Sequence, residues 1–182
     1  DEFMKHDVEG EPCDGPGNAV HDVGLTGLAL LAFLGDGSTL RAGPYKNVIK
    51  KGVRWLKEQQ DPDTGLFGTN SSHDFIYDHM IATLAMCEAY GLSDYKLLRK
   101  TAQKGINYLE THRNPYLVWR YQPRDNDNDT SVSGWGVLAY KSAQDFKLKV
   151  NSQALKMCGV WFDQVTDGTT GRHGYTKRGE QS

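Results

Sequence analysis

Two kinds of helical segment alternate along the chain, and they recur at a nearly constant interval. Segments of the first kind are apolar on nearly every side and cover residues 23–34, 80–87 and 132–140. Segments of the second kind are apolar on one face only, with a period near 3.6 residues. They cover residues 47–60, 97–112 and 153–165. Trp55, Tyr108 and Trp161, one in each one-faced segment, follow one another at intervals of 53 residues.

This alternation predicts an all-α fold. A helix that is apolar all round must be covered all round, whereas a one-faced helix covers others and meets water itself. Self-similarity at a period of roughly 50 residues indicates an array of units, none of which can bury its apolar face alone. We expect one domain over 1–182, with inner helices wrapped by outer ones. Its three helical hairpin repeats would cover about 19–68, 73–121 and 125–175.

Composition excludes several classes of protein. With 38% apolar and 24% charged residues, the chain is expected to be globular and not disordered. The net charge of −2 gives no reason to expect a nucleic-acid binder or a polybasic membrane binder. The longest uncharged apolar run, 23–34, is too short to span a bilayer. Cys13, Cys87 and Cys158 are too few and too scattered for a disulfide framework, and the last two are expected to be buried and inert.

An aspartate stands just before each of the apolar segments. Asp22, Asp78 and Asp129 are in this position, and we interpret each as the N-cap of an inner helix. Each outer helix is followed by a turn that contains aromatic residues. These turns cover residues 63–68, 117–121 and 170–175.

The segment Lys51-Gly-Val-Arg-Trp-Leu-Lys-Glu-Gln-Gln60, with Gly65-Leu-Phe67 after it, resembles the Gln/Trp repeat of squalene and terpene cyclases. A second copy runs from Lys104 to Leu109 with Trp119, and a degenerate third covers 157–162 and 171–175. In the second copy Arg113 stands where the Gln is expected and Leu117 where the Gly is expected. The family, which includes protein prenyltransferase β subunits, implies an α/α toroid.

The toroids of that family contain more helical pairs than the three counted in this chain. The resemblance therefore implies that the chain is part of a larger toroid. The rest of that toroid, or a second copy of the chain, would then cover the open flanks, because a large exposed apolar patch marks an interface.

The best candidate for chemistry is the Asp-rich turn 125–129. Cyclases that protonate a double bond use an Asp-x-Asp-Asp-Thr motif, in which the middle acid gives the proton. Aligned on Asp129 and Thr130, that middle acid falls on Asn128, whose amide cannot donate a proton to an alkene. The resemblance leaves Asp127 and Asp129 as the candidate catalytic residues.

The same turn permits two other interpretations. Asp125, Asp127 and Asp129 alternate as in a calcium-binding loop, although Thr130 and Gly136 replace the Gly and Glu of that loop. Calcium or another divalent metal is thus one alternative. The other is an Asp/Asn-rich turn in which Asp129 only caps the following helix.

If the repeats superpose, a set of polar residues gathers at one end of the inner helices. This expected ligand-binding mouth consists of His21, Asp22, Tyr77, Asp78, His79 and Asn128. His and Asp side chains could bind a metal such as zinc there. The Asp-x-Cys pair of the prenyltransferase zinc site does not occur in the sequence. Hydrogen bonding and capping are the alternative roles.

Two aromatic residues of the third apolar segment, Trp135 and Tyr140, are candidates to line an apolar lumen. The alternative for both is ordinary core packing. The leading functional hypothesis is a non-catalytic toroid domain that binds an apolar small molecule or a protein partner. The alternative is an isoprenoid-processing enzyme that uses residues 125–129. Carbohydrate-active chemistry would require a pair of carboxylates with tuned pKa values, and the only cluster is that same turn.

Overall fold

A computed structural model describes residues 19–180 of the chain. Within this range the protein is all-helical, as predicted, and it contains no β-strand. The six helices are α1 (Asp22–Gly35), α2 (Lys46–Glu58), α3 (Phe75–Ser93), α4 (Arg99–His112), α5 (Thr130–Asp145) and α6 (Ser152–Val165). Cys13 lies outside the described residues. Cys87 and Cys158 are buried and unpaired, as predicted.

Helices α1, α3 and α5 pack side by side with α3 in the middle. Helices α2, α4 and α6 each pack against the helix that precedes them in the chain. Helix α3 is buried along almost its whole length, which agrees with an apolar sequence on every side. No helix in the described part of the chain combines the length and apolar character needed to cross a membrane.

Helix α1 differs from α3 because one of its faces is open. Gly24 and Gly27 face α3 so closely that a Cβ atom at Gly24 would lie 2.2 Å from Asp78 Oδ1. The opposite side exposes Leu25 and Leu28, which are 58% and 42% accessible, together with Ala29 and Ala32. An open flank is expected for the terminal helix of three hairpins, and the exposed face of α1 fits that expectation, whereas α3 in the middle is covered.

Two of the predicted aromatic turns have the same hydrogen-bonded structure. In the first, the Asp61 N–H donates to Leu66 O at 2.8 Å, and Asp61 Oδ1 accepts from the Thr64 N–H at 2.7 Å. In the second, the Asp167 N–H donates to Arg172 O at 2.8 Å, and Asp167 Oδ1 accepts from the Thr170 N–H at 2.7 Å. Each turn also closes an isolated antiparallel bridge, between Gln60 and Phe67 and between Thr166 and His173.

Candidate functional site

Three tyrosines meet where α3 and α5 begin, and we call Tyr77, Tyr121 and Tyr175 the tyrosine cluster. The Tyr77 hydroxyl donates to Ser131 Oγ at 2.8 Å, and the hydroxyls of Tyr121 and Tyr175 lie 2.8 Å apart. The Tyr77 and Tyr121 ring centroids are 6.0 Å apart. Burial raises the pKa of Tyr77 to about 12, so its hydroxyl keeps its proton at neutral pH.

Asp129 lies directly beneath this cluster and has no exposed surface. Its Oδ1 accepts from the Val132 N–H at 2.7 Å, which makes it the N-cap of α5 as predicted. Its Oδ2 accepts from the Tyr175 hydroxyl at 3.2 Å. Burial raises the pKa of Asp129, although these two hydrogen bonds and the charge of Arg120 oppose that rise.

Arg120 connects the Asp-rich turn to the tyrosine cluster. Its guanidinium forms an ion pair with Asp127, and its Nε lies 3.5 Å from Asp129 Oδ2. The same guanidinium lies over the rings of Tyr121 and Tyr175, at 5.7 and 5.6 Å from their centroids. One cation is therefore shared by two carboxylates and two aromatic faces.

The calcium interpretation of the Asp-rich turn is not supported by this arrangement. Asp125 Oδ1 accepts the Asp127 N–H at 2.9 Å, Asp127 pairs with Arg120, and Asp129 points into the interior. The three carboxylates do not converge on one point. Across residues 19–180, no group of three or more His, Cys, Asp or Glu side chains is arranged to hold a metal ion.

Asn128 organises its own loop. Its Oδ1 accepts from Asn114 Nδ2 and from the Val118 N–H, both at 3.1 Å. The Asn114 side chain also donates to the Asp127 carbonyl oxygen. These bonds hold the Asp-rich turn against the loop that follows α4, so Asn128 fixes the position of its neighbours.

His21 and Asp78 form a second polar contact, where α1 and α3 begin. His21 Nδ1 lies 3.2 Å from Asp78 Oδ2. Burial raises the pKa of Asp78, against the opposing effect of this contact.

The predicted caps at Asp22 and Asp78 are wrong. Asp78 lies in the first turn of α3, because that helix begins three residues earlier, at Phe75. Asp22 is the first residue of α1, and His21 stands in the cap position, where its side chain makes no capping hydrogen bond to the helix backbone. Asp22 is exposed, so it offers one free carboxylate beside the His21 contact.

His79 does not lie with these residues, because its side chain points away from Asp78 into the interior. The Phe67 N–H donates to His79 Nδ1 at 3.0 Å, and Nε2 lies 3.2 Å from the Gly105 carbonyl oxygen. This pairing requires a neutral ring with its proton on Nε2. Burial lowers the pKa of His79 to about 3. The prediction that His79 belongs to the ligand-binding mouth is therefore wrong. His79 instead connects α3 to α4 and to the first aromatic turn.

Tyr140 is also an interior residue. Its hydroxyl donates to Glu110 Oε2 at 2.7 Å, and its ring packs edge-on against Trp119 with centroids 5.2 Å apart. It has no exposed surface, so it belongs to the core and not to an apolar lumen. Trp135 is half-buried and lines a shallow cavity of about 440 Å³ with Leu138 and Phe162.

The sequence interpretation missed Arg120, Tyr121 and Tyr175 as members of the site. A signal for the two tyrosines was present, because each closes an aromatic turn and the two stand 54 residues apart. Arg120 gave no such signal, because its partners Asp127 and Asp129 are brought to it by the fold of the intervening loop.

The assembled site is a network of half-buried and exposed hydroxyls, one buried acid and one shared cation. Chemically it can anchor loops, hold Asp129 in place and present Tyr77 and Ser131 toward solvent. Comparison of the chain with protein-family models, with curated proteins and with solved structures finds no match. The resemblance to the cyclases and prenyltransferases stays a prediction.

Proposed function

We propose that the six helices are three hairpins of an α/α toroid, with α1, α3 and α5 inside and α2, α4 and α6 outside. The side-by-side packing of α1, α3 and α5 supports this arrangement. The matching hydrogen bonds of the turns at Asp61 and Asp167, 106 residues apart, support it independently. That separation is twice the 53-residue interval of Trp55, Tyr108 and Trp161.

We propose further that the chain is a non-catalytic binding module whose partner is an apolar helix of a second protein chain. The observation that carries this proposal is the α1 stripe, which we define as Leu25, Leu28, Ala29 and Ala32. All four are exposed, and their spacing of three and four residues places them on one helix face. Small residues beside leucines let a second helix approach closely, and a second copy of this chain is the first partner to test.

A protein partner explains the α1 stripe better than a small molecule does. The stripe is the convex surface of a helix, whereas small-molecule sites are concave. The second candidate, an apolar small molecule, is favoured by a different observation. Between the ends of α1, α3 and α5 lies a cavity of about 420 Å³, lined by Leu31, Leu34, Leu84 and Leu138 but also by charged side chains.

Sedimentation velocity over a range of protein concentrations tests the binding module. The wild-type chain is expected to self-associate, and Leu25→Glu with Leu28→Glu is expected to leave it monomeric. Val160→Glu is the matched control, because Val160 is also an exposed apolar residue, 41% accessible, but lies on an outer helix. A wild-type chain that stays monomeric throughout, or equal effects of both variants, would contradict association through the α1 stripe.

The alternative function, an isoprenoid-processing enzyme, rests on the burial that raises the pKa of Asp129. Against it, Asp129 already accepts two hydrogen bonds, and Asp127 is exposed and paired with Arg120. Incubation of the chain with squalene, followed by mass spectrometry of the lipid extract, tests this alternative. If the wild-type chain forms a cyclised product and Asp129→Asn does not, the chain is an enzyme and the binding module is contradicted.

A further inference from the structure

A groove runs along α2 on a different face of the molecule from the α1 stripe. Its walls are one side of α2 and the loop between α3 and α4, and it encloses about 770 Å³. The loop between α1 and α2 closes one end and is fixed in place. The Leu40 N–H donates to Ser93 Oγ at 3.0 Å, and Arg41 Nη2 donates to the Asp94 carbonyl oxygen at 2.8 Å.

The charge of this groove has one sign. No acidic side chain is among its lining residues. Five cationic side chains line it, namely Arg41, Lys46, Lys50, Arg54 and Lys57. The whole chain has 23 acidic and 21 basic residues, so this accumulation is local. Glu58 gives the only ion pair to these five cations among residues 19–180, at 4.0 Å from Arg54 Nε, and both side chains are exposed.

Three of these cations are placed where they repel one another along the helix that carries them. Lys46 and Lys50, and then Lys50 and Arg54, are like charges four residues apart, which repel on a helix surface. Lys46 is the first residue of α2, and the first turn contains no acidic residue, so the helix dipole also disfavours the charge. An anionic partner bound along α2 would offset this repulsion, whereas Lys57 in the last turn and the Arg54–Glu58 pair already favour the helix.

The other half of the groove is apolar, and this identifies the chemistry of the partner. Leu40, Val53 and Leu98 form a buried floor. At the rim, Leu97 is 71% exposed and Tyr95 is 36% exposed. A partner that fills the groove must combine carboxylates for α2 with apolar side chains for the floor and for Leu97.

We propose that this groove binds an acidic peptide segment of a protein partner, with apolar residues interspersed among its carboxylates. A flat membrane surface cannot reach the concave floor at Val53 and Leu98. A nucleic-acid backbone offers phosphates to the cations but no apolar groups to Leu97. This site is separate from the α1 stripe and does not rest on the proposed function.

Fluorescence anisotropy with a fluorescein-labelled peptide of alternating glutamate and leucine tests the proposal. Lys50→Glu is expected to raise the dissociation constant about tenfold, and Leu97→Ser is also expected to raise it. Lys51→Glu is the matched control, because Lys51 is the next residue of the same exposed helix but does not line the groove. The control is expected to change the affinity by less than about twofold. Far-UV circular dichroism verifies that each variant is folded.

Other outcomes of the same experiment overturn the proposal. Equal losses in Lys50→Glu and Lys51→Glu would mean general electrostatic attraction and no defined groove. If a peptide with glutamine in place of glutamate binds with the same affinity, the carboxylates of the peptide are not recognised by the cations of the groove. Tighter binding of phosphatidylserine vesicles or of a single-stranded oligonucleotide, lost in Lys50→Glu, would assign the groove to a membrane or to nucleic acid.

Discussion

Asp129 has two structural duties at the start of α5. It caps the helix through the Val132 N–H, and it receives the Tyr175 hydroxyl from the segment that follows α6. A carboxylate at a helix N-terminus satisfies otherwise unpaired N–H groups and interacts favourably with the helix dipole. These contacts account for the burial of Asp129.

Asp129→Ala is expected to lower the free energy of unfolding by about 1 kcal/mol, because the cap is lost. Asp129→Asn should retain most of the stability, since an asparagine side chain also caps. Urea unfolding measures both values. Asp125→Ala is the control, because Asp125 is exposed in the same turn. A loss in Asp129→Asn as large as in Asp129→Ala would show that the negative charge matters more than the cap.

His79 makes stability depend on pH. Its pKa is lowered from 6.5 to about 3 by burial, so the folded state excludes a proton that the unfolded state binds below pH 6.5. The contribution of neutral His79 to the free energy of unfolding is fully present above pH 6.5, and it is lost as the pH falls toward 3. The free energy of unfolding should fall by about 1.4 kcal/mol per pH unit through this single proton.

Urea unfolding at several pH values from neutral to mildly acidic measures this slope. The pKa of His112 is also lowered by burial, and its effect has the same sign. His79→Gln should therefore reduce the slope without removing it. An identical slope in His79→Gln would contradict a neutral, buried His79.

At the scale of elements, the proposed hairpins have different residues at corresponding positions of their turns. Gln60 Nε2 donates to the Gly65 carbonyl oxygen inside its turn and to the Thr101 carbonyl oxygen of α4, both at 3.1 Å. Fifty-three residues later, Arg113 Nη1 donates to the Leu117 carbonyl oxygen at 3.1 Å. Arg113 thus makes a bond across its turn, as Gln60 does across the first turn.

A fully buried and a half-buried tryptophan should differ in their contribution to the free energy of unfolding. Trp119 is fully buried, donates from Nε1 to the Leu109 carbonyl oxygen at 2.8 Å and packs against Gly136. Trp119→Ala should cost about 3–5 kcal/mol through the cavity that it leaves. Trp55 is only half-buried, so Trp55→Ala should cost about 1–2 kcal/mol. Chemical denaturation compares them, and equal costs would contradict the burial difference.

At the scale of the whole molecule, the hairpins share one apolar core. Helix α3 packs against both α1 and α5, and buried residues from all six helices form one contiguous cluster. Because α3 is apolar on every side, the separation of α1 or α5 from it would expose apolar surface to water.

Thermal unfolding of the chain should therefore occur in one cooperative transition. Far-UV circular dichroism reports all helices, and fluorescence reports the four tryptophans, which are spread from α2 to α6. The two transitions should coincide. Separate midpoints would indicate that hairpins unfold one after another, as in an array whose repeats are weakly coupled.

The helices and their packing partners were largely predictable from the sequence, and the polar site was not. The spacing of Val53 and Leu56 predicts the buried face of α2, and the apolar run in α3 predicts its burial. Sequence order alone could not separate Asp78 from His79. These neighbours point in different directions because successive helix residues are turned about 100° from each other.

The pattern of apolar residues, with its period of 3.6 and its recurrence after 53 positions, decided the all-helical architecture, because burial of apolar area drives helices together. Only the tertiary structure decided which polar side chains meet. Arg120 reaches Asp127 and Asp129 through a folded loop, and the cations of α2 become a groove only where the loop between α3 and α4 lies beside them. Hydrogen bonds and ion pairs are directional and short-ranged, so they depend on distances that no local pattern contains.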